Sequence, residues 1–241
     1  MFLQKDNLSN FEFVSIKDFL FALFLMFLAT IFSFIYVPFL LNKLLSAYKD
    51  FINSNYFGII IFFLSSILTT YIIYYFCCKK QKKTLKDGLF FHKKTTKINL
   101  ISILIGIIMP LLTLPVIFKF APHEFYAMDM AKTKGGLIYL FSCALFAPVF
   151  EELFYRGFIF PFFQSKLNSF WAVIITGLFF GFSHMFNIGG AYVLLSIFIL
   201  YGFVLTLVRY FTNSLVPPII THFVHNVTLI ISFLIASNLQ G

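Results

Sequence analysis

Long apolar runs broken by short polar clusters divide the chain into seven stretches, each long enough to cross the roughly 30 Å core of a bilayer as a helix of about twenty residues. They lie at approximately 19–41, 57–78, 98–118, 137–163, 169–187, 190–211 and 215–237. The expected fold class is all-α, a polytopic membrane helical bundle of about seven or eight transmembrane helices. The first run follows Lys17 and Asp18, is too long for a signal-peptide core and lacks a small-x-small site after it, so it is expected to be retained. Pro148, inside the fourth run, removes a backbone donor and predicts a break or kink. The segment 120–130 sets Pro122, His123, Glu124 and Asp129 among aromatics and reads either as an interfacial lid or as an ordinary connector.

Composition strengthens this picture. The chain is 60% hydrophobic and 11% charged, where a globular protein carries about a quarter charged residues. The net charge of +9 does not point to nucleic acid, because eight of the eighteen basic residues occupy one loop between two spans: Lys79, Lys80, Lys82, Lys83, Lys86, Lys93, Lys94 and Lys97. Such loops stay cytoplasmic, and this one would also favour anionic headgroups. That orientation places the N-terminus inside. Cys77, Cys78 and Cys143 offer no disulfide framework or paired metal spacing. The adjacent Cys77 and Cys78 read as small apolar residues at a helix end rather than as acylation sites.

Against this apolar background the stretch Glu151-Glu152-Leu153-Phe154-Tyr155-Arg156 stands apart, with no other charged side chain between Gly136 and Phe163. Three ionised groups at the centre of a membrane helix cost about 8 to 10 kcal/mol before pairing. Glu152 and Arg156 are four apart with the acid on the N-terminal side, which suits an orienting ion pair. Glu151 is rotated by about 100° and lacks a partner on its own helix. Later spans carry His184, His222, His225 and Asn226. At 1.5 Å per residue, Glu151 and Asn226 lie about 20 Å, and His184 about 24 Å, from one edge of their spans, so three spans are expected to converge on one polar chamber. His222 and Asn226 share a face more closely than His225 does, and could hold a developing oxyanion.

The motif Glu151-Glu152-x-x-x-Arg156-Gly157, the F-x-x-x-H set Phe180 to His184 and the H-x-x-x-N set His222 to Asn226 occur in this order over about eighty residues. Together they resemble the CPBP family, the Abi or CAAX-protease-like intramembrane proteases. The tract Thr212 to His222 is similar to that family's approach to its third motif, and Tyr155 stands where many members have Phe. The first three spans resemble nothing specific. On this reading residues 1–136 supply N-terminal spans with the basic loop 79–97, and 137–241 a CPBP or Abi-like catalytic core of four helices within one integral membrane domain.

The resemblance implies hydrolysis of peptide bonds in membrane-associated or peptide substrates. Glu151 is then the expected general base, with His184 positioning water, His222 and Asn226 stabilising the oxyanion, and Glu152 and Arg156 orienting the site. No cofactor is expected, and the alternative is Zn²⁺ held by Glu151, His184 and His222. Rival readings are a proton-coupled transporter, for which intramembrane carboxylates are equally natural, and a non-catalytic membrane protein conferring immunity to a peptide toxin. Lack of organelle-targeting features and compact size suit a bacterial plasma membrane. Substrate identity and oligomeric state are not legible.

Overall fold

A computed structural model describes residues 13–120, 133–185 and 192–239. These residues build seven principal helices: α1 (Ile16–Leu44), α2 (Asn55–Lys79), α3 (Thr96–Phe120), α4 (Lys134–Lys166), α5 (Ser169–Ser183), α6 (Tyr192–Thr212) and α7 (Val216–Leu239). Six are long and apolar enough to span a membrane, and α5 is the exception. No strand occurs among the described residues. The chain is a multi-pass helical membrane protein, as the apolar runs predict. The segment 121–132, where the lid reading falls, lies outside the described residues.

Helix starts follow capping chemistry. Ser54 accepts from Phe57 N–H at 3.3 Å, Thr133 from Gly136 N–H at 3.0 Å and Asn168 from Trp171 N–H at 3.1 Å, each satisfying a donor that the first turn leaves free. The large core joins both halves of the chain. Phe19 of α1 stacks on Phe162 of α4 with ring centroids 3.5 Å apart, while Phe76, Cys77 and Cys78 are buried in the same cluster. This burial agrees with the small-apolar reading of the two cysteines.

Two expectations are corrected. Helix α4 runs unbroken through Pro148 as far as Phe154, so the break is absent, and a π turn follows at Tyr155–Ile159. Phe146 and Phe150, flanking the proline, pack edge-on against Phe63 of α2. The fifth predicted span stops at Ser183 rather than near 187, giving about 22 Å of helix. His184 N–H turns back to Gly181 O at 3.0 Å, and its own imidazole Nδ1 meets Phe180 O at 2.8 Å. The side chain caps the helix that it ends.

The site-bearing helices approach closely. A Cβ on Gly202 of α6 would lie 2.7 Å from Gly177 O of α5, and one on Gly106 of α3 would lie 2.6 Å from Thr221 O of α7. Gly202→Ala is therefore expected to cost about 1 to 3 kcal/mol. Gly58→Ala, whose added methyl would sit an ordinary 3.5 Å from Tyr139, should be tolerated. Thermal unfolding of both variants in detergent checks the contrast, and equal midpoints would refute the close approach.

The basic loop is tied to the start of α7. Ser214 Oγ donates to His92 O at 2.6 Å, Leu215 N–H donates to Phe90 O at 3.0 Å, and the buried Arg209 guanidinium lies 4.2 Å from the Phe90 ring centroid. Burial, followed by the nearby Lys86 and Lys94 charges and Arg209, pushes the His92 imidazole below its usual range. This anchoring fixes where α7 begins, and with it the depth of the polar residues that α7 carries.

Candidate active site

Glu151 sits one helical turn before the π turn of α4, with its side chain 30% exposed. Its Oε2 lies 4.0 Å from His184 Nε2 and 3.9 Å from His222 Nε2, and has no hydrogen-bond partner. Three helices thus bring Glu151, His184 and His222 to one point. Neither imidazole is free to turn. The His184 ring lies flat against Phe198 with centroids 4.5 Å apart, and Phe180 O, which can only accept, requires the proton on His184 Nδ1. Its Nε2 is the ring nitrogen turned toward Glu151.

His222 is oriented by a carboxylate instead. Its Nδ1 lies 2.8 Å from Glu152 Oε1, the same oxygen that accepts from Arg156 Nη1 at 2.8 Å. Glu152 and Arg156 are fully buried. Arg156 also donates from Nη2 to Gly202 O at 2.9 Å and from Nε to Thr206 Oγ1 at 3.3 Å, with its guanidinium 4.7 Å from the Phe180 ring centroid. Neighbouring carboxylates on one helix have separate surroundings: Glu152 joins α4 to α7 directly and to α6 through Arg156, while Glu151 faces the two imidazole edges. Thr206 and Gly202 carry no spacing signal, and the sequence reading missed them.

Asn226 lies one turn beyond His222 on α7, and its Oδ1 is 3.3 Å from His225 Nδ1. His225 is buried and stacks on Tyr201 with centroids 3.9 Å apart. Among the described residues no group of three or more His, Cys, Asp and Glu is arranged to hold a metal. Tetrahedral zinc with ligands at about 2.0 to 2.2 Å needs donor atoms about 3.4 Å apart, closer than Glu151 stands to either imidazole.

A multi-pass helical bundle with an acid–imidazole cluster recessed among its C-terminal helices defines the class, a membrane protein with an intramembrane polar site. Residues 133–228 match the family model described as Rce1-like, type II CAAX prenyl endopeptidase. The match covers less than half of the chain but takes in all three motifs, so the family resemblance carried by Glu151 to Gly157, Phe180 to His184 and His222 to Asn226 holds. No curated protein and no solved structure matches the chain. The family so matched is described as one of CAAX prenyl endopeptidases.

Proposed function

We propose that the protein is an intramembrane endopeptidase in which Glu151 activates the hydrolytic water. The observation that carries this reading is the convergence of Glu151 Oε2 with His184 Nε2 and His222 Nε2 at 3.9 to 4.0 Å. A water among groups so spaced can sit about 2.8 Å from each. His184 accepts a hydrogen bond from one O–H and orients the water, while Glu151 takes the other proton as the oxygen attacks the scissile carbonyl and returns it to the leaving amine as the C–N bond breaks. His222, held through Nδ1 by Glu152, turns Nε2 toward the same point, and an N–H there joins the Asn226 amide in holding the oxyanion.

One observation favours a second reading. Nδ1–H bonds to Phe180 O and Glu152 Oε1 are the outer contacts that metal-ligating histidines make. Glu151, His184 and His222 would then hold Zn²⁺, which when bound supplies Lewis-acid activation of water. The experiment is cleavage of a model membrane peptide by purified protein in liposomes, with metal content measured on the same sample. Hydrolysis should survive dialysis against a strong chelator, with zinc well below one per chain. Stoichiometric zinc whose removal stops hydrolysis would overturn the metal-free mechanism. Loss of proton-dependent uptake on Glu151 substitution, with no peptide cleaved, would favour a transporter, and cleavage retained after Glu151→Gln would remove Glu151 from the mechanism.

A further inference from the structure

His225 is buried beside the catalytic cluster, yet the mechanism above gives it no task. It lies between His222 and Asn226 in sequence, lines an apolar cavity with Ile117, Leu194, Phe198, Leu229 and Phe233, and stacks on Tyr201 at an interplanar angle of 19°. Its polar contact is with its neighbour: Nδ1 stands 3.3 Å from Asn226 Oδ1. Tyr201 is itself held, since its ring meets His222 edge-on at 5.5 Å and its hydroxyl reaches Thr221 O at 3.5 Å. The imidazole therefore has a fixed plane against a fixed platform.

We infer that His225 is a positioning residue that sets which end of the Asn226 carboxamide faces the reacting carbonyl. The argument rests on the reading of Asn226 as an oxyanion donor. A carboxamide has one accepting end and one donating end, and only the NH2 end can stabilise negative charge. An Asn226 free to rotate would spend part of its time presenting Oδ1, which repels an oxyanion. The His225 Nδ1–H claims Oδ1 and leaves Nδ2 facing away from the imidazole. The cavity beside the ring is lined by Tyr201, apolar side chains and Thr113, whose hydroxyl donates to Met109 O and Pro110 O, so the tautomer with its proton on Nδ1 is the one that the Asn226 contact satisfies.

Two substitutions separate positioning from packing. His225→Phe keeps an aromatic ring on Tyr201 and loses the N–H, whereas His225→Asn loses the ring and keeps an N–H close to the Nδ1 position. The expected result is a fall in kcat of about ten-fold or more with little change in KM for His225→Phe, and recovery of most of that loss in His225→Asn. In an Asn226→Ala background His225→Phe should cost almost nothing further, because the interaction it removes is already gone. The reverse order, with His225→Phe active and His225→Asn impaired, would assign His225 to packing and overturn the inference. Nitrogen-15 NMR of labelled histidine gives a readout independent of turnover: His225 should show Nδ1 protonated and Nε2 bare, with the Nδ1–H resonance displaced by Asn226→Ala. A proton on Nε2 would sink the inference even if peptide hydrolysis and its dependence on Glu151 are intact. Absence of hydrolysis in wild type together with the Nδ1–H signature would instead sink the peptidase reading and leave the His225–Asn226 contact standing.

Discussion

Glu151→Gln is expected to lower kcat for peptide hydrolysis by at least about 10³-fold while leaving the protein folded and inserted. Gln matches the carboxylate in shape and can still take part in hydrogen bonds, but it cannot accept the proton of the attacking water, and general acid–base catalysis of this kind contributes about 10² to 10⁴. The structural cost should be small because Glu151 holds nothing together: its Oε2 makes no hydrogen bond, and its side chain is 30% exposed. Glu152→Gln tests the neighbour under the same assay. That change removes the carboxylate from Arg156 and so should be read in stability as well as rate. Matched thermal midpoints for wild type and Glu151→Gln, with single-turnover cleavage measured in liposomes, check the claim. Cleavage by Glu151→Gln within a factor of ten of wild type would exclude Glu151 as the base.

The parts of this arrangement that the sequence shows are those fixed by local chemistry. Span positions follow from runs of apolar residues, because a bilayer demands helices of a given length and leaves little else open. The i,i+4 spacing of Glu152 and Arg156 likewise needs only one helix to be understood. What the sequence hides depends on rotation and contact between helices. The bond from His222 to Glu152 links residues on α7 and α4, and its existence depends on how each helix is turned about its axis. The same holds for Arg156 on Thr206 and Gly202, since a hydroxyl and a backbone carbonyl on α6 look like any others until the helix is docked. The end of α5 was hidden for another reason. Hydrophobicity continues past Ser183, and only the turn of His184 back onto Phe180 shows where the helix stops.

Arg156→Met should destabilise the protein by about 3 to 5 kcal/mol, the cost of leaving one member of a buried ion pair without its partner. The guanidinium is the ionic partner of a Glu152 carboxylate that has no exposed surface, and it also supplies donors to Gly202 O and Thr206 Oγ1. Met fills much of the same volume, so packing alone should cost little. The double variant Glu152→Gln with Arg156→Met separates charge from shape. Neither charge then remains, and the Gln Oε1 can still accept the His222 Nδ1–H that Glu152 now accepts. Most of the lost stability should return. Activity should not return with it, because a neutral amide is a weaker acceptor for the His222 Nδ1–H than a carboxylate, and carboxylates that orient metal-bound histidines in the same way are worth roughly 10 to 100-fold. Chemical denaturation in micelles together with kcat on the two variants gives the test. If the double variant is no more stable than Arg156→Met, the loss comes from the missing long side chain and its bonds to α6. If Arg156→Met is within about 0.5 kcal/mol of wild type, a partly hydrated Glu152 tolerates its isolation, and the pair orients His222 without holding the bundle together.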